Sequence, residues 1–238
     1  MAALRDTLPV KLAQESYQQV LGGNILNQGG FVLPPGKYRL KVVARENQSG
    51  KLGTFEQPLV LPETGNSGLT LSSVVVSNQL QDAAARPSSS KSKQGGENPL
   101  QVGNRSILPS VTRVFRTNQN LYVFLESYAS KPAQTATTDS KGGQPAAGNG
   151  STLPPSIALV FFRGGVKISE AGPFPGKLGG SSHSQASYFV QLPLEKFPPG
   201  RYWMQVNVLD PSADRVAFAR IPLAIMKASA GASVGAGR

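Results

Sequence analysis

The chain contains no cysteine and only one histidine, His183, among its 238 residues. Without thiols it cannot form a disulfide scaffold, a Cys-based zinc site, an iron–sulfur cluster or a thiol nucleophile. No apolar run approaches the ~18 residues of a membrane-spanning helix. The N-terminal stretch lacks the apolar core and small-residue cleavage site of a secretory signal. We therefore expect no cofactor, no transmembrane segment and no signal peptide in this sequence.

Motifs for catalysis are equally scarce. A Ser-His-Asp triad would have to use His183, which lies in a Gly- and Ser-rich loop with no strand to hold it. Residues 210–214 (DPSAD) resemble the Asp-x-Ser-x-Ser pattern of a metal site, but a strand is expected to follow them, so we interpret them as a turn. The paired carboxylates of a glycosidase remain an alternative, although most acidic residues fall in turns, loops or linker. Glu126 is the exception, because it lies in the predicted strand Leu121–Tyr128, where the alternation indicates a solvated face. We expect a protein that is not an enzyme.

Positive charge exceeds negative charge, with 24 Lys and Arg against 13 Asp and Glu and a net charge of +11. About half of this excess falls in segments whose composition is that of linker, loop or tail. The densest group, Lys37, Arg39 and Lys41, alternates along one strand face. We interpret it as a solvated face. The alternative is a binding site for an anionic polymer, formed by these three residues and Arg201. An acidic polysaccharide is the preferred ligand for such a site, ahead of nucleic acid.

Composition divides the chain into two ordered blocks. Residues 81–106 and 129–154 contain no aromatic side chain, and 228–238 consist largely of Ala, Gly and Ser. Such segments cannot offset the backbone entropy lost on ordering, ~1 to 2 kcal/mol per residue. We predict a domain at 1–80, a disordered linker at 81–106, a second domain at 107–227 with a disordered loop at 129–154, and a disordered tail.

Within the blocks, nearly all local signals are those of strands. Short aromatic and aliphatic runs bounded by turn residues occur at Leu121–Tyr128, Ile157–Phe162 and Ser187–Leu192. Gly164 and Gly165 predict a tight hairpin, since consecutive glycines supply the positive φ angles that such turns require. The fold class predicted is all-β.

An internal repeat is the strongest pattern in the sequence. Leu33–Val42 (LPPGKYRLKV) reappears as Phe197–Val206 (FPPGRYWMQV) at an offset of 164, and Pro58–Leu61 matches Pro222–Ile225 at the same offset. Each copy predicts a Pro-Pro-Gly turn, a strand, a loop and a second strand. The repeat therefore predicts one equivalent hairpin in each domain.

Four residues of the repeat are candidates for structural roles: Gly36 and Tyr38 in the first copy, Gly200 and Tyr202 in the second. A Pro-Gly turn followed by Tyr is typical of the tyrosine corner of immunoglobulin-like and fibronectin-III-like sandwiches, where the hydroxyl bonds to upstream backbone. We predict two such β-sandwich modules. An ordinary hairpin in another β fold is the alternative.

With these residues in view, the chain resembles the region that follows the von Willebrand factor A domain in acidobacterial VWFA-related proteins. The resemblance is carried by residues 33–62, 69–79, 107–128 and 197–210. It implies β-sandwich modules carried behind a metal-binding domain on an exported chain, and hence placement in the periplasm, the envelope or outside the cell. The A domain itself is missing, and few strands precede Phe31, so we expect the first sandwich to be incomplete and the chain to be a fragment.

These observations favour non-enzymatic β-sandwich modules that act as spacer or interaction units of a larger exported or envelope-associated protein. The expected partners are another protein or other domains of the same longer chain. The alternative function is binding of an anionic polymer through the basic strand face.

Overall fold

The computed structural model describes residues 30–63, 68–82, 100–129, 154–179 and 185–228, together with positions 2, 3, 5 and 7. In this part of the chain the regular structure is entirely β, as the sequence predicts, and no helix is long and apolar enough to cross a membrane. The predicted loop 129–154 and tail 228–238 fall almost wholly outside the described residues, as do His183 and positions 83–99 of the predicted linker.

The strands of the described residues, in chain order, are β1 (Gly36–Arg45), β2 (Leu52–Leu61), β3 (Leu69–Leu71), β4 (Val75–Ser77), β5 (Leu80–Asp82), β6 (Gln101–Val102), β7 (Arg105–Ile107), β8 (Val114–Arg116), β9 (Asn120–Ala129), β10 (Ser156–Arg163), β11 (Val166–Pro175), β12 (Lys177–Gly179), β13 (Gln185–Pro193), β14 (Gly200–Asp210) and β15 (Arg215–Met226). Strands β5, β7 and β6 form a small three-stranded sheet in that order.

The chain splits into two compact units, the first of Met1–Pro62 with Asp82–Asn104 and the second of Glu63–Gln81 with Arg105–Arg238. The second unit contains two five-stranded sheets. One has the order β11-β10-β14-β15-β8, and the other has the order β12-β13-β9-β3, with β4 also pairing with β9. Neighbouring strands in these sheets are antiparallel except β15 and β8, which are parallel. The second unit is therefore a β-sandwich.

The core of the sandwich lies between these two sheets. Along β14 every second side chain is buried, and Met204 and Val206 are fully enclosed. They share one core with Leu121 and Val123 of β9 and with Tyr188 of β13. Enclosing a large apolar side chain stabilises the fold by ~1.5 to 3 kcal/mol. The alternation of apolar and polar residues in β14 thus follows from one face packing inward.

The first unit differs from the second in that the hairpin β1–β2 forms most of its described regular structure. The hairpin is antiparallel with an unbroken register from Gly36 opposite Leu61 to Arg45 opposite Leu52. Every residue of β1 and β2 is exposed or half-buried. Within the described residues, this hairpin has no second sheet layer against which to form a core.

The hairpins β1–β2 and β14–β15 share one pairing register. Gly36 lies opposite Leu61, and Gly200, 164 residues further on, lies opposite Ile225, which is 164 residues beyond Leu61. The offset that relates the two sequences therefore also relates the two sets of paired residues.

The predicted boundary of the first domain at residue 80 is wrong. Leu69–Leu71 and Val75–Ser77 both pair with β9, so these strands belong to the second sandwich. Val76 is packed in its core. The side chain of Ser77 donates to the carbonyl of Leu108, 2.5 Å away. The boundary instead follows Pro62, where the first hairpin ends.

The predicted linker 81–106 is also too long. Gln101–Val102 is a strand, and Arg105 and Ser106 begin the strand Arg105–Ile107. Composition alone does not reveal such short strands inside a polar segment.

The tight hairpin predicted at Gly164 and Gly165 is confirmed. These residues join β10 to β11 with φ angles of 56° and 83°, and Arg163 lies opposite Val166. Two consecutive residues with positive φ are what a two-residue turn of this twist requires.

Candidate functional site

Tyr202 forms a hydrogen bond to the backbone four residues upstream. Its hydroxyl donates to the carbonyl of Pro198 at 2.5 Å, and its ring is 2% exposed. The ring packs edge-on against Phe197, at 6.0 Å between centroids, and Phe197 packs in the same manner against Phe161. Tyr202 therefore has a structural role, because both its ring and its hydroxyl are used inside the sandwich.

Tyr38 makes the equivalent hydrogen bond in the first unit. Its hydroxyl donates to the carbonyl of Pro34 at 2.6 Å, four residues upstream as in the second copy. The ring of Tyr38 is only half-buried. The same local geometry is thus formed without the core that surrounds Tyr202.

The two repeat glycines lie in different local environments. Gly36 has a φ of +156°, which residues with a side chain rarely adopt. A Cβ added at Gly200 would approach the guanidinium of Arg163 to 3.0 Å. Gly36 thus meets a backbone requirement, whereas a Cβ at Gly200 would require the exposed side chain of Arg163 to move by a few tenths of an ångström.

The predicted basic residues Lys37, Arg39 and Lys41 lie on one face of β1, which we call the basic face. Glu56 lies opposite Lys41 on the same face. Its carboxylate is 3.0 Å from the amine of Lys41 and 3.8 Å from the guanidinium of Arg39. All three charges are exposed, so each pair adds at most ~1 kcal/mol to stability. Glu56 does, however, offset part of the positive charge at the centre of the face.

Arg201, the fourth predicted cation, belongs to the second unit, whereas the other three belong to the first. It lies on the outward side of β14, where alternate side chains are exposed. The four residues predicted as one polyanion site are therefore distributed over two separately described units.

The opposite side of the first hairpin, which we call the apolar face, is formed by Tyr38, Leu40 and Val42 of β1 with Leu59 and Phe55 of β2. Leu40, Val42 and Phe55 are 40%, 46% and 57% exposed. Single exposed apolar residues are ordinary, but a contiguous group on one sheet face is typical of an interaction surface.

The equivalent face of β14–β15 is buried. Tyr202, Met204 and Val206 take the positions of Tyr38, Leu40 and Val42, and none is more than 2% exposed. The two hairpins thus present matching faces, one covered by a second sheet and one exposed.

A third surface lies on the outward side of β10, β14 and β15. We call it the outer aromatic face and define it by six residues: Phe162, Trp203, Gln205, Asn207, Phe218 and Arg220. They share one side because Trp203 is paired with Phe162, Gln205 with Arg220, and Asn207 with Phe218. Trp203 is 53% and Phe218 65% exposed. This surface combines large exposed rings with hydrogen-bonding side chains.

A row of hydrogen bonds crosses the outer aromatic face. The Nε of Arg220 donates to Gln205 Oε1 at 2.6 Å, and Gln205 Nε2 donates to Asn207 Oδ1 at 2.6 Å. The guanidinium carbon of Arg220 also lies 5.6 Å from the ring centre of Phe162. These contacts hold Arg220 in one orientation across the sheet.

Sequence reasoning did not assign the outer aromatic face. The signal for it is present in β14, where Arg201, Trp203, Gln205 and Asn207 alternate with the core residues. The exposure of Trp203 and Phe218 could not be predicted, because the sequence pattern of an apolar strand does not distinguish exposed from buried aromatic residues.

Acidic residues cap the loops of both hairpins. The carboxylate of Asp210 accepts hydrogen bonds from the backbone N–H and the hydroxyl of Ser212. At the equivalent place in the first hairpin, the Glu46 carboxylate accepts from the N–H groups of Gln48 and Ser49, at 2.7 and 2.5 Å. Hydrogen bonds from Ser49 and Gln48 lower the pKa of Glu46. The DPSAD motif is thus used to shape a turn.

Two further polar pairs lie in or beside the core. The hydroxyls of Ser127 and Tyr188 are 3.0 Å apart, and burial raises the pKa of Tyr188. Tyr128 donates to the Glu126 carboxylate at 2.5 Å, and its pKa is raised by burial and by that hydrogen bond. Glu126, predicted on a solvated face, is half-buried instead. In the part of the chain that the structure describes, no three His, Asp or Glu side chains are placed to hold a metal ion.

No protein-family model and no curated protein matches this chain.

Proposed function

We propose that the chain is a pair of non-enzymatic β-modules that serve as spacer and interaction units of a larger exported or envelope-associated protein. The second unit is the rigid sandwich, and the first unit supplies a docking hairpin. The observation that carries this proposal is the exposure of the apolar face of β1–β2, whose counterpart in β14–β15 is buried.

The repeat supports the choice of partner. In the second unit, Met204 and Val206 are covered by strands β9 and β13 of the opposite sheet. Leu40 and Val42 occupy the equivalent positions in the same register. The partner that fits the apolar face is therefore a β-sheet layer with an apolar inner side, provided by another protein or by another domain of the same longer chain. The resemblance to the region behind VWFA domains supports the extracytoplasmic placement.

The second candidate function is binding of an anionic polymer by the basic face. It is favoured by the exposure and common direction of Lys37, Arg39 and Lys41. It is disfavoured by Glu56, whose carboxylate lies within 3.8 Å of two of these cations. A phosphate or uronate entering this face would have to displace an ion pair already formed.

Site-specific photo-crosslinking in the cell envelope tests the docking proposal. A benzoylphenylalanine at Val42 places the reactive group on the apolar face, and the same residue at Val43 places it on the opposite face with similar exposure. We expect position 42 to form one crosslink, to an identified β-layer, and position 43 to form none. Equal crosslinking from both positions, or crosslinking from neither, would contradict the proposal.

A further inference from the structure

We propose that the outer aromatic face of β10, β14 and β15 binds a linear acidic polysaccharide. Its sugar rings stack on Trp203 and Phe218, and Arg220 binds a carboxylate of the chain. This inference goes beyond the docking function and uses a different surface, in the second unit.

The aromatic side chains supply the stacking platform. Trp203 and Phe218 expose more than half of their surface although both lie in regular strands of a well-packed sheet. Trp203 lies opposite Pro222 of β15, and Phe218 lies four residues before Pro222 on the same strand. At ~3.4 Å per residue, Trp203 and Phe218 are therefore ~14 Å apart along the strand direction. Rings at this separation contact different sugar units, so the platform fits an extended chain rather than one monosaccharide.

The hydrogen-bonding row presents donors to solvent. Arg220 has no acceptor, so it fixes Gln205 with its oxygen towards the guanidinium. Gln205 must then turn its NH₂ group towards Asn207, whose oxygen accepts. The side-chain oxygens of Gln205 and Asn207 thus accept hydrogen bonds within the row. The groups that remain available to a ligand are donors, namely the NH₂ group of Asn207 and the terminal nitrogens of Arg220.

Arg220 is pre-arranged for a carboxylate. Its Nε is engaged by Gln205, while among the described residues neither terminal nitrogen donates to a protein acceptor. Two adjacent guanidinium N–H groups match the two oxygens of a carboxylate. Since the orientation is already fixed by Gln205 and Phe162, little side-chain entropy is lost on binding.

The charge of the surface agrees with an anionic ligand. Arg201 and Arg220 are both exposed on the outward side. Asp210, the one carboxylate of β10, β14 and β15, is buried and occupied by Ser212. Glu170 on neighbouring β11 is paired with Lys167. The described part of this face therefore brings no unpaired negative charge to repel a uronate.

A polysaccharide fits better than the other polymers. Single-stranded nucleic acid is held by a groove of several cations that follows its phosphates, whereas the outward side of β10, β14 and β15 carries only Arg201 and Arg220 in the described strands. An apolar protein layer would cover the donor row and leave Arg220 and Asn207 without acceptors, which is costly. The C–H faces of sugar rings suit exposed aromatic rings, and the ring and carboxylate oxygens suit the donors between them.

The single tryptophan makes the test direct, because Trp203 is the only one in the chain and reports from the proposed site. The whole chain is titrated with a galacturonate oligosaccharide, and its fluorescence is followed. We expect saturable binding that weakens at least tenfold with the fully methyl-esterified oligosaccharide, with Arg220→Gln and with Phe218→Ala. Phe189→Ala, an exposed aromatic of the other sheet, is the matched control and should bind as the parent does.

Several results would overturn the proposal. One is the absence of a fluorescence or calorimetric response to the oligosaccharide at millimolar concentration. Another is binding of the esterified oligosaccharide as tight as that of the acidic one. A third is a loss of affinity in Phe189→Ala as large as that in Phe218→Ala. Tighter binding of oligo-dT through the same residues would assign the face to nucleic acid. A dimer in sedimentation that Phe218→Asp dissociates would assign it to a protein interface. None of these readouts depends on the apolar face of β1–β2.

Discussion

The hydroxyl of Tyr202 donates to the carbonyl of Pro198 across a span of four residues, and the same relationship links Tyr38 to Pro34. In the second unit the ring is enclosed, and in the first it is half-buried. One local motif thus occurs in two environments. The pair separates what the hydrogen bond contributes from what the surrounding core contributes.

Tyr202→Phe is expected to cost ~1 to 3 kcal/mol of unfolding free energy, because the enclosed side chain of Tyr202 loses its part-buried hydrogen bond to the carbonyl of Pro198. Tyr38→Phe is the matched variant, and we expect it to cost less than ~1 kcal/mol since water can replace the hydroxyl there. Urea denaturation of the second unit, followed by Trp203 fluorescence, measures the first. Hydrogen exchange of the β1–β2 amides measures the second. A loss below ~0.5 kcal/mol for Tyr202→Phe would remove the structural role of this hydrogen bond.

The corrected domain boundary predicts that Val76 stabilises the second sandwich. Its side chain is 3% exposed in the sandwich core, so Val76→Asp should cost at least ~3 kcal/mol by burying an unpaired charge. Val32→Asp, at an 82% exposed position, should cost less than ~0.5 kcal/mol. Trp203 fluorescence in urea reads out both. Equal small effects would restore residues 63–80 to the first domain.

The basic face is expected to bind polyanions too weakly to detect near ~150 mM salt, because Glu56 offsets its centre and the Debye length there is only ~8 Å. Heparin affinity in a salt series measures this. Binding with a log–log salt slope of about −2 to −4 that disappears in a Lys37, Arg39 and Lys41 triple Ala variant would favour the second candidate function. Glu56→Gln should then strengthen that binding.

The turn of the first hairpin predicts a pH dependence. Hydrogen bonds from Ser49 and Gln48 lower the pKa of Glu46 in the folded state. Its contribution to the loop is therefore present above the pKa of the unfolded chain and is lost as the pH falls through the lower, folded pKa. In an NMR titration, the Gln48 and Ser49 amide signals should shift with a midpoint below that of an ordinary glutamate, and Glu46→Gln should abolish the shift. A midpoint at or above the ordinary value would contradict the cap.

The structural features that were predicted correctly from the sequence are those that depend only on residues close together along the chain. The strand at Leu121–Tyr128 lies within β9, the paired glycines form the β10–β11 turn, and both Pro-Pro-Gly-Tyr segments make the expected hydrogen bond. Each of these follows from turn chemistry or from the period of two in a strand. Such signals act over a few residues, so they can be read without knowing the partner strand.

What the sequence did not predict depends on partners far along the chain. Strands β3 and β4 are three residues each, and nothing in them indicates that they pair with β9, about fifty residues later. Glu56 neutralises part of the basic face only because the register places it opposite Lys41. The outer aromatic face needs three strands to be aligned before its residues meet.

Thiol labelling tests most directly whether the apolar face of β1–β2 is open, since the chain has no cysteine of its own. Val42→Cys and Val206→Cys place one thiol at equivalent positions of the two hairpins, 46% exposed in the first and fully buried in the second. With a maleimide under native conditions, Val42→Cys should react nearly as fast as it does in denaturant, and Val206→Cys should be protected by more than ~100-fold, reacting only when the sandwich opens. Equal protection of both thiols would mean that the face is already covered within the chain, and the docking account would be wrong.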